Sequence, residues 1–428
     1  MRRSSTTLAA FVPGWGLALL YVGGIFGHVP HTQLRHFQVR CRTAVWAMRR
    51  SLQFETGRIK TVKTDANARV LSGEVWADFC DSLKEAGELV NADLAPDDAF
   101  NRAEGYRYLS RMLRAGLESF LEHGDPSFPA LRCPVHETIK MGADNPDNYY
   151  QSASIDSSYD YKITGTRGTV DYLGFGTVIN RYSTGGGMKT DGFLDSRDME
   201  IGPDGRLEVI VSQRKHPGNW LPMGPETNSI NVRQTFQDRE NETRADIQMV
   251  RLGAEQERPT PLTPEKLDAA LQGAVRFVKN TTGLFEGWAE GFLSTVNQVA
   301  PADQNFCQAI GGDPNIYYFH SAWELADDEV LLIEAKTIPE CQTWNFVLQN
   351  WWMESLDYRH HKIHFNKHTA KYEDDGSVKI IVAHQNPGHA NWVETAGHNN
   401  GTMCWRWIGA AQHPPVNARV LKFSDLAT

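Results

Sequence analysis

A chain of 428 residues, 41% hydrophobic and 22% charged, has ordinary globular composition, which excludes disorder and collagen-like structure. Its net charge of −9 leaves no nucleic-acid footprint. The length fits two or three domains, or one large one with insertions, and 12 Trp, 13 Tyr and 19 Phe point to aromatic-lined clefts.

Residues 8–29 carry no charge, follow Arg2 and Arg3, and are long enough to span a bilayer. Ten basic residues and one acidic residue fall within 1–63, so the remainder carries −18. Three readings of the extension 1–65 stand open: a membrane anchor, a cleaved signal peptide, or a stretch added upstream of a functional start at Met48. Membrane association is expected only if 8–29 is a genuine anchor, and a cytoplasmic location follows if the extension is spurious. The six cysteines form no CxxC pair, which fits buried thiols better than a disulfide framework or a zinc ribbon.

From Leu71 to about Glu122, apolar residues recur at three- and four-residue steps, which predicts helices within a region 66–142. Asp98 or Asn101 is placed to cap the second. After Pro129 the pattern changes to short alternating runs broken by Gly, Asn and Asp. Asp198-Met-Glu-Ile, the turn Gly202-Pro-Asp-Gly205 and Leu207–Val211 read as a hairpin.

The same sentence is then written twice. Asn145-Pro-Asp-Asn-Tyr-Tyr150 is echoed by Asp313-Pro-Asn-Ile-Tyr-Tyr318, Asp204–Val211 by Asp375–Val382, and Pro217-Gly-Asn-Trp-Leu221 by Pro387-Gly-His-Ala-Asn-Trp-Val393. Three ordered matches predict two related β-units, 143–250 and 310–428, joined by a connector 251–309. A helix within that connector opens at Thr263-Pro264 and runs to about Val296. The fold class is therefore α+β and mainly β: two antiparallel sandwich-like units, a helical N-terminal region and a helical connector. The seam between duplicated units is the default ligand site.

Seven of the 15 histidines crowd into 360–398. His360, His364 and His368 share a strand face, but neighbours four apart sit about 13 Å from each other and cannot chelate one ion. A metal would need histidines from different strands, for instance His364 with His384 and one of the loop histidines, or the loop pair His389 and His398; without that, no cofactor is expected. The loop Asn386–Gly401 offers His389, Glu394 and His398 for acid–base work, with Trp392 as an aromatic platform. The first unit has Asn219-Trp220 but lacks the other three, so the Asn-Trp element fits a locked corner. Gln349–Arg359 adds Trp352, Glu354, Tyr358 and Arg359 as substrate-binding candidates. GxSxG, HExxH, Walker and Rossmann signatures are all absent.

These residues lead to an expected hydrolase or lyase acting on a small apolar or polyhydroxylated molecule in an aromatic cleft. Two alternatives stand beside it: a non-catalytic carbohydrate- or lipid-binding sandwich, and a metal-dependent hydrolase. The expected partner is a small molecule, not nucleic acid.

Ala103-Glu-Gly-Tyr-Arg-Tyr108, Lys140–Asn148, His216–Pro222, Asn386–His398 and Cys404-Trp-Arg-Trp407 resemble a bacterial family, domain of unknown function 1214. The resemblance covers about Leu71 to Ile408. It implies a β-sandwich protein and brings no established activity or cofactor.

Overall fold

The computed structural model describes residues 65–426. The segment 8–29 lies outside them, and among the described residues no helix is long and apolar enough to cross a membrane.

Helix α1 (Ala66–Ser72) stops at Gly73, whose φ of 80° only glycine adopts without strain. After it come α2 (Glu74–Gly87) and α3 (Ala99–Leu117). Asp98 caps α3, its carboxylate accepting the Asn101 N–H at 3.0 Å. These helices pack on α4 (Pro264–Phe292), which starts with proline after the Thr263 cap. The apolar stripe of α4, including Leu271, Val275, Phe285 and Phe292, recurs at helical spacing and is buried. A short α5 (Gln304–Ala309) follows.

The first β-unit contains β1 (Asn148–Ser154), β2 (Tyr161–Thr166), β3 (Tyr172–Asn180), β4 (Met188–Asp195), β5 (Arg206–Ser212), β6 (Trp220–Pro222), β7 (Ser229–Thr235) and β8 (Asp246–Arg251). The second contains β9 (Ile316–Glu324), β10 (Glu329–Ala335), β11 (Thr343–Gln349), β12 (His364–Asn366), β13 (Val378–Ala383), β14 (Trp392–Glu394), β15 (Asn400–Ile408) and β16 (Asn417–Lys422). Sheet order is β1-β7-β3-β4 with β6-β5-β2-β8 in the first unit, and β9-β15-β11-β12 with β14-β13-β10-β16 in the second. The orders match strand for strand, down to the parallel pairing of the fifth and sixth strands in each. The repeat read from three sequence echoes is thus a repeat of complete topology.

Each unit buries its alternating apolar residues between its two sheets. Ile163, Phe175, Val209 and Val232 fill the first core. The second is richer in aromatics, with Trp344 and Trp405 stacked at 4.7 Å.

The Asn-Trp corner is built the same way twice. Asn219 receives the Glu200 N–H and donates to the carbonyls of Glu200 and Glu208, while Asn391 receives the Lys371 N–H and donates to those of Lys371 and Lys379. The indoles of Trp220 and Trp392 donate to the carbonyls of Ser212 and Ala383 at 3.2 and 3.1 Å. This corner corrects the expected hairpin. Residues 198–201 form no strand, because the Asn219 side chain supplies the backbone partners that a neighbouring strand would have given.

Candidate functional site

The seam is held by a crossed pair of arginines. Arg233 on β7 stands opposite Tyr150 on β1, and Arg406 on β15 stands opposite Tyr318 on β9. Both tyrosine hydroxyls accept the N–H that opens their own echo, Asn145 at 3.0 Å and Asp313 at 2.9 Å. Each arginine then reaches into the other unit. Arg233 donates to the Gly311 carbonyl and faces the Asp313 carboxylate at 3.6 Å, while Arg406 donates to the Ala143 carbonyl. Burial alone would lower the pKa of Arg233, but Asp313 and nearby tyrosines outweigh it and leave it raised.

Ala143 itself has a φ of 59° and its N–H donates to the carbonyl of Met353, another non-glycine residue with positive φ, at 54°. Two left-handed non-glycine residues cost roughly 1 kcal/mol or more each. The Arg406 bond fixes one of them. Two of the four non-glycine residues of positive φ among the described residues thus sit where the two units and the helical region meet.

Beside the arginines lies a cavity of about 190 Å³, shared by both units and α4. Its apolar wall includes Tyr182, Phe277, Phe285 and Trp288, and its polar wall includes Arg132, Asn231 and Gln151. Gly142 belongs here of necessity, since a Cβ would meet the Phe285 ring at 2.5 Å.

The two sides of the cavity differ. Ser152 and Asn231 pair across β1 and β7, where the second unit has His320 and Cys404 across β9 and β15. His320 is sandwiched by rings, Trp288 at 4.6 Å and Phe292 stacked at 5.2 Å. Burial, with Arg406 adding to it, pushes His320 down to about 3, so the imidazole is neutral at physiological pH. Cys404 Sγ sits 3.8 Å from His320 Nε2, and burial raises the thiol to about 11. A pair so tuned is a packing element and not an activated nucleophile.

The echo residues Asn145, Asn148, Tyr150 and Tyr318 line this cavity, but none of the residues expected to carry catalysis, substrate or metal does. His389 Nδ1 accepts the Asn391 N–H at 3.1 Å. Glu394 bonds the Lys362 N–H and His361 Nδ1, each at 2.9 Å; these partners outweigh burial and lower its pKa. His398 is buried, its ring edge-on to Phe100 at 4.7 Å, and burial lowers its pKa against the pull of Glu104. Among the described residues no hydrogen bond or ion pair joins any two of these three. The expected triad is three separate local structures, because the loop wraps a corner.

Trp352 is 1% exposed and donates to the Asn101 carbonyl, so it is core and offers no platform. Trp392 spends its N–H on the corner described above. Glu354 is fully buried, bonded to Arg111 at 2.6 Å and Asn350 at 2.9 Å; burial raises its pKa against the pull of Arg111. Arg359 forks back onto Asp357, and Tyr358 carries the Lys140 ammonium over its ring at 4.5 Å. Glu354, Trp352 and His398 do converge, but on α3, where they seat the helix.

His364 bonds Asp147 at 3.1 Å, and His384 bonds Thr395 at 2.9 Å from the other sheet. Among the described residues no three His, Cys, Asp or Glu side chains gather as a metal-binding group.

The sequence reading missed Arg132, Arg233, His320 and Arg406. The signal was partly in view: Tyr150 and Tyr318 end the first echo, and their strand partners are the two arginines.

Fold and seam together define a class: a pair of like β-sandwiches in one chain, with a cavity where they meet. Residues 328–412 match the family described as Protein of unknown function (DUF1214). An uncharacterized protein from Burkholderia cenocepacia is 52% identical, with a TM-score of 0.82, over 84% of this chain and 99% of its own. A protein from Vibrio parahaemolyticus is 10% identical over 74% of this chain and 98% of its own, with a TM-score of 0.43. No curated protein matches. The chain belongs to the DUF1214 family.

Proposed function

We propose that this protein binds a small molecule in the seam cavity. The observation that carries this reading is the cavity itself, which opens between two well-packed units and combines an aromatic wall with convergent polar groups. A well-packed interface would have closed it. Acid–base catalysis by His389, Glu394 and His398 draws no support from their separate positions. Binding without those residues is the simpler reading.

A fragment screen by saturation-transfer NMR tests it, comparing the wild type with Ser152→Phe. Ser152 lines the cavity, so a phenyl ring there occupies the space a ligand needs. Hits in the wild type that vanish in a folded Ser152→Phe protein support the proposal. Hits that persist, or a screen without hits, overturn it.

A further inference from the structure

Resting on the seam reading, we propose that the occupant is a small monoanion, a carboxylate on a single ring or a chain of similar size, received by Arg132. The charge balance of the wall carries this. Arg132, Arg233 and Arg406 line the cavity with one carboxylate, Asp144. Arg233 is matched by Asp313. Asp144 has both oxygens engaged by the N–H and hydroxyl of Ser355, at 2.8 and 2.7 Å, and is left as the one acidic counterweight to Arg406.

Arg132 remains uncompensated. Among the described residues it forms no ion pair, one Nη donates to Ser119 Oγ, and the other is buried without a hydrogen-bond partner. Glu118, the carboxylate acting on it, is partly exposed and lies 3.7 Å from Arg114. Backbone bonds to Ser152 at 3.1 and 2.9 Å hold Arg132 beside β1, so its position is fixed before any ligand arrives.

A half-buried guanidinium with one nitrogen sealed from solvent and no acidic partner beside it is costly, and a carboxylate is the group whose geometry matches its fork. With Arg233 facing Asp313 and Arg406 facing Asp144, Arg132 is the one arginine of the wall left without a carboxylate of the wall beside it, which favours a single negative charge. Size sets the rest. A cavity of about 150 Å³ accommodates benzene, and the space here is about 190 Å³ with Phe277, Phe285 and Trp288 along it.

Benzoate and its neutral isostere benzamide are the probes, titrated calorimetrically into the full chain and into Arg132→Gln. Benzoate should bind the wild type about tenfold or more tightly than benzamide does, and the advantage should disappear in Arg132→Gln. Arg132→Lys, which keeps the charge and loses the fork, should fall between and serves if the glutamine variant fails to fold. Equal binding of the two probes, or benzoate binding unchanged by Arg132→Gln, overturns the anion proposal. If Ser152→Phe still abolishes that binding, the cavity reading survives alone; if it does not, both fail. No binding of either probe to the wild type overturns the anion proposal, and the fragment screen then decides the cavity.

Discussion

The two β-units carry the same strands in the same order, yet they do different things at the seam. What they share is architecture: the Asn-Trp corner, the tyrosine closing its own echo, and the arginine crossing to the other unit. What they do not share lies two residues beyond those tyrosines. His320 in the second unit is clamped by the rings of α4, whereas Ser152 in the first is small and borders open space. Duplicated features hold the molecule together, and the positions where the copies part company make the cavity.

The largest test of this comparison is to remove each crossing arginine. Arg233→Met leaves the buried Asp313 carboxylate without its cation and should cost about 3–5 kcal/mol in chemical denaturation. Arg406→Met strands the acceptors it bonds directly, the Ala143 carbonyl and Asn345 Oδ1, while Asp144 keeps its own bonds to Ser355, and should cost about 2–3 kcal/mol. Equal losses would mean that the register alone, and not the partner's charge, sets the contribution. At the corners, Asn391 is 1% exposed and Asn219 is less deeply placed. Asn391→Ala should therefore cost about 2–3 kcal/mol and Asn219→Ala about 1 kcal/mol, by thermal or urea unfolding. The reverse order would break the account of the corners as one device at two depths.

His320 provides the pH test. Its folded pKa is depressed, so the unfolded chain takes up the proton first, and the stability it contributes is present above about pH 6.5 and lost as pH falls toward 3. About 2 kcal/mol should disappear between pH 7 and 5. His320→Phe should flatten that part of the profile, and an unchanged slope in urea titrations at both pH values would count against the buried neutral imidazole. The smallest effect belongs to His361 and Glu394, a pair with no counterpart in the first unit. Both are partly exposed, so a double-mutant cycle should give less than about 1 kcal/mol. A larger coupling would restore interest in that loop.

The comparison also shows how much of the molecule was legible beforehand. Alternation and turn residues disclosed both units, and the echoes disclosed that they were related. Thr263 with Pro264 marked the long helix, because capping chemistry is local. The seam was legible as a place but not as residues. Arg132, Arg233, His320 and Arg406 come from four separate segments and meet only through strand pairing and packing between units. The written echo ends at the tyrosines, and Ser152 and His320, where the copies part, lie two residues past it. The histidine-rich loop drew attention through composition, and composition cannot tell an imidazole that terminates a turn from one that faces a ligand.

The crossed arginines have a further consequence. Two identical subunits meeting about a two-fold axis must present the same surface to each other, so any cavity on the axis has matching halves. Joining the halves in one chain keeps the reciprocal grip of Arg233 and Arg406 and removes that obligation. One half can then hold aromatic ballast while the other stays open and charged. The space between them can fit a molecule with a head and a tail, which a strict dyad could accept only in two equivalent orientations.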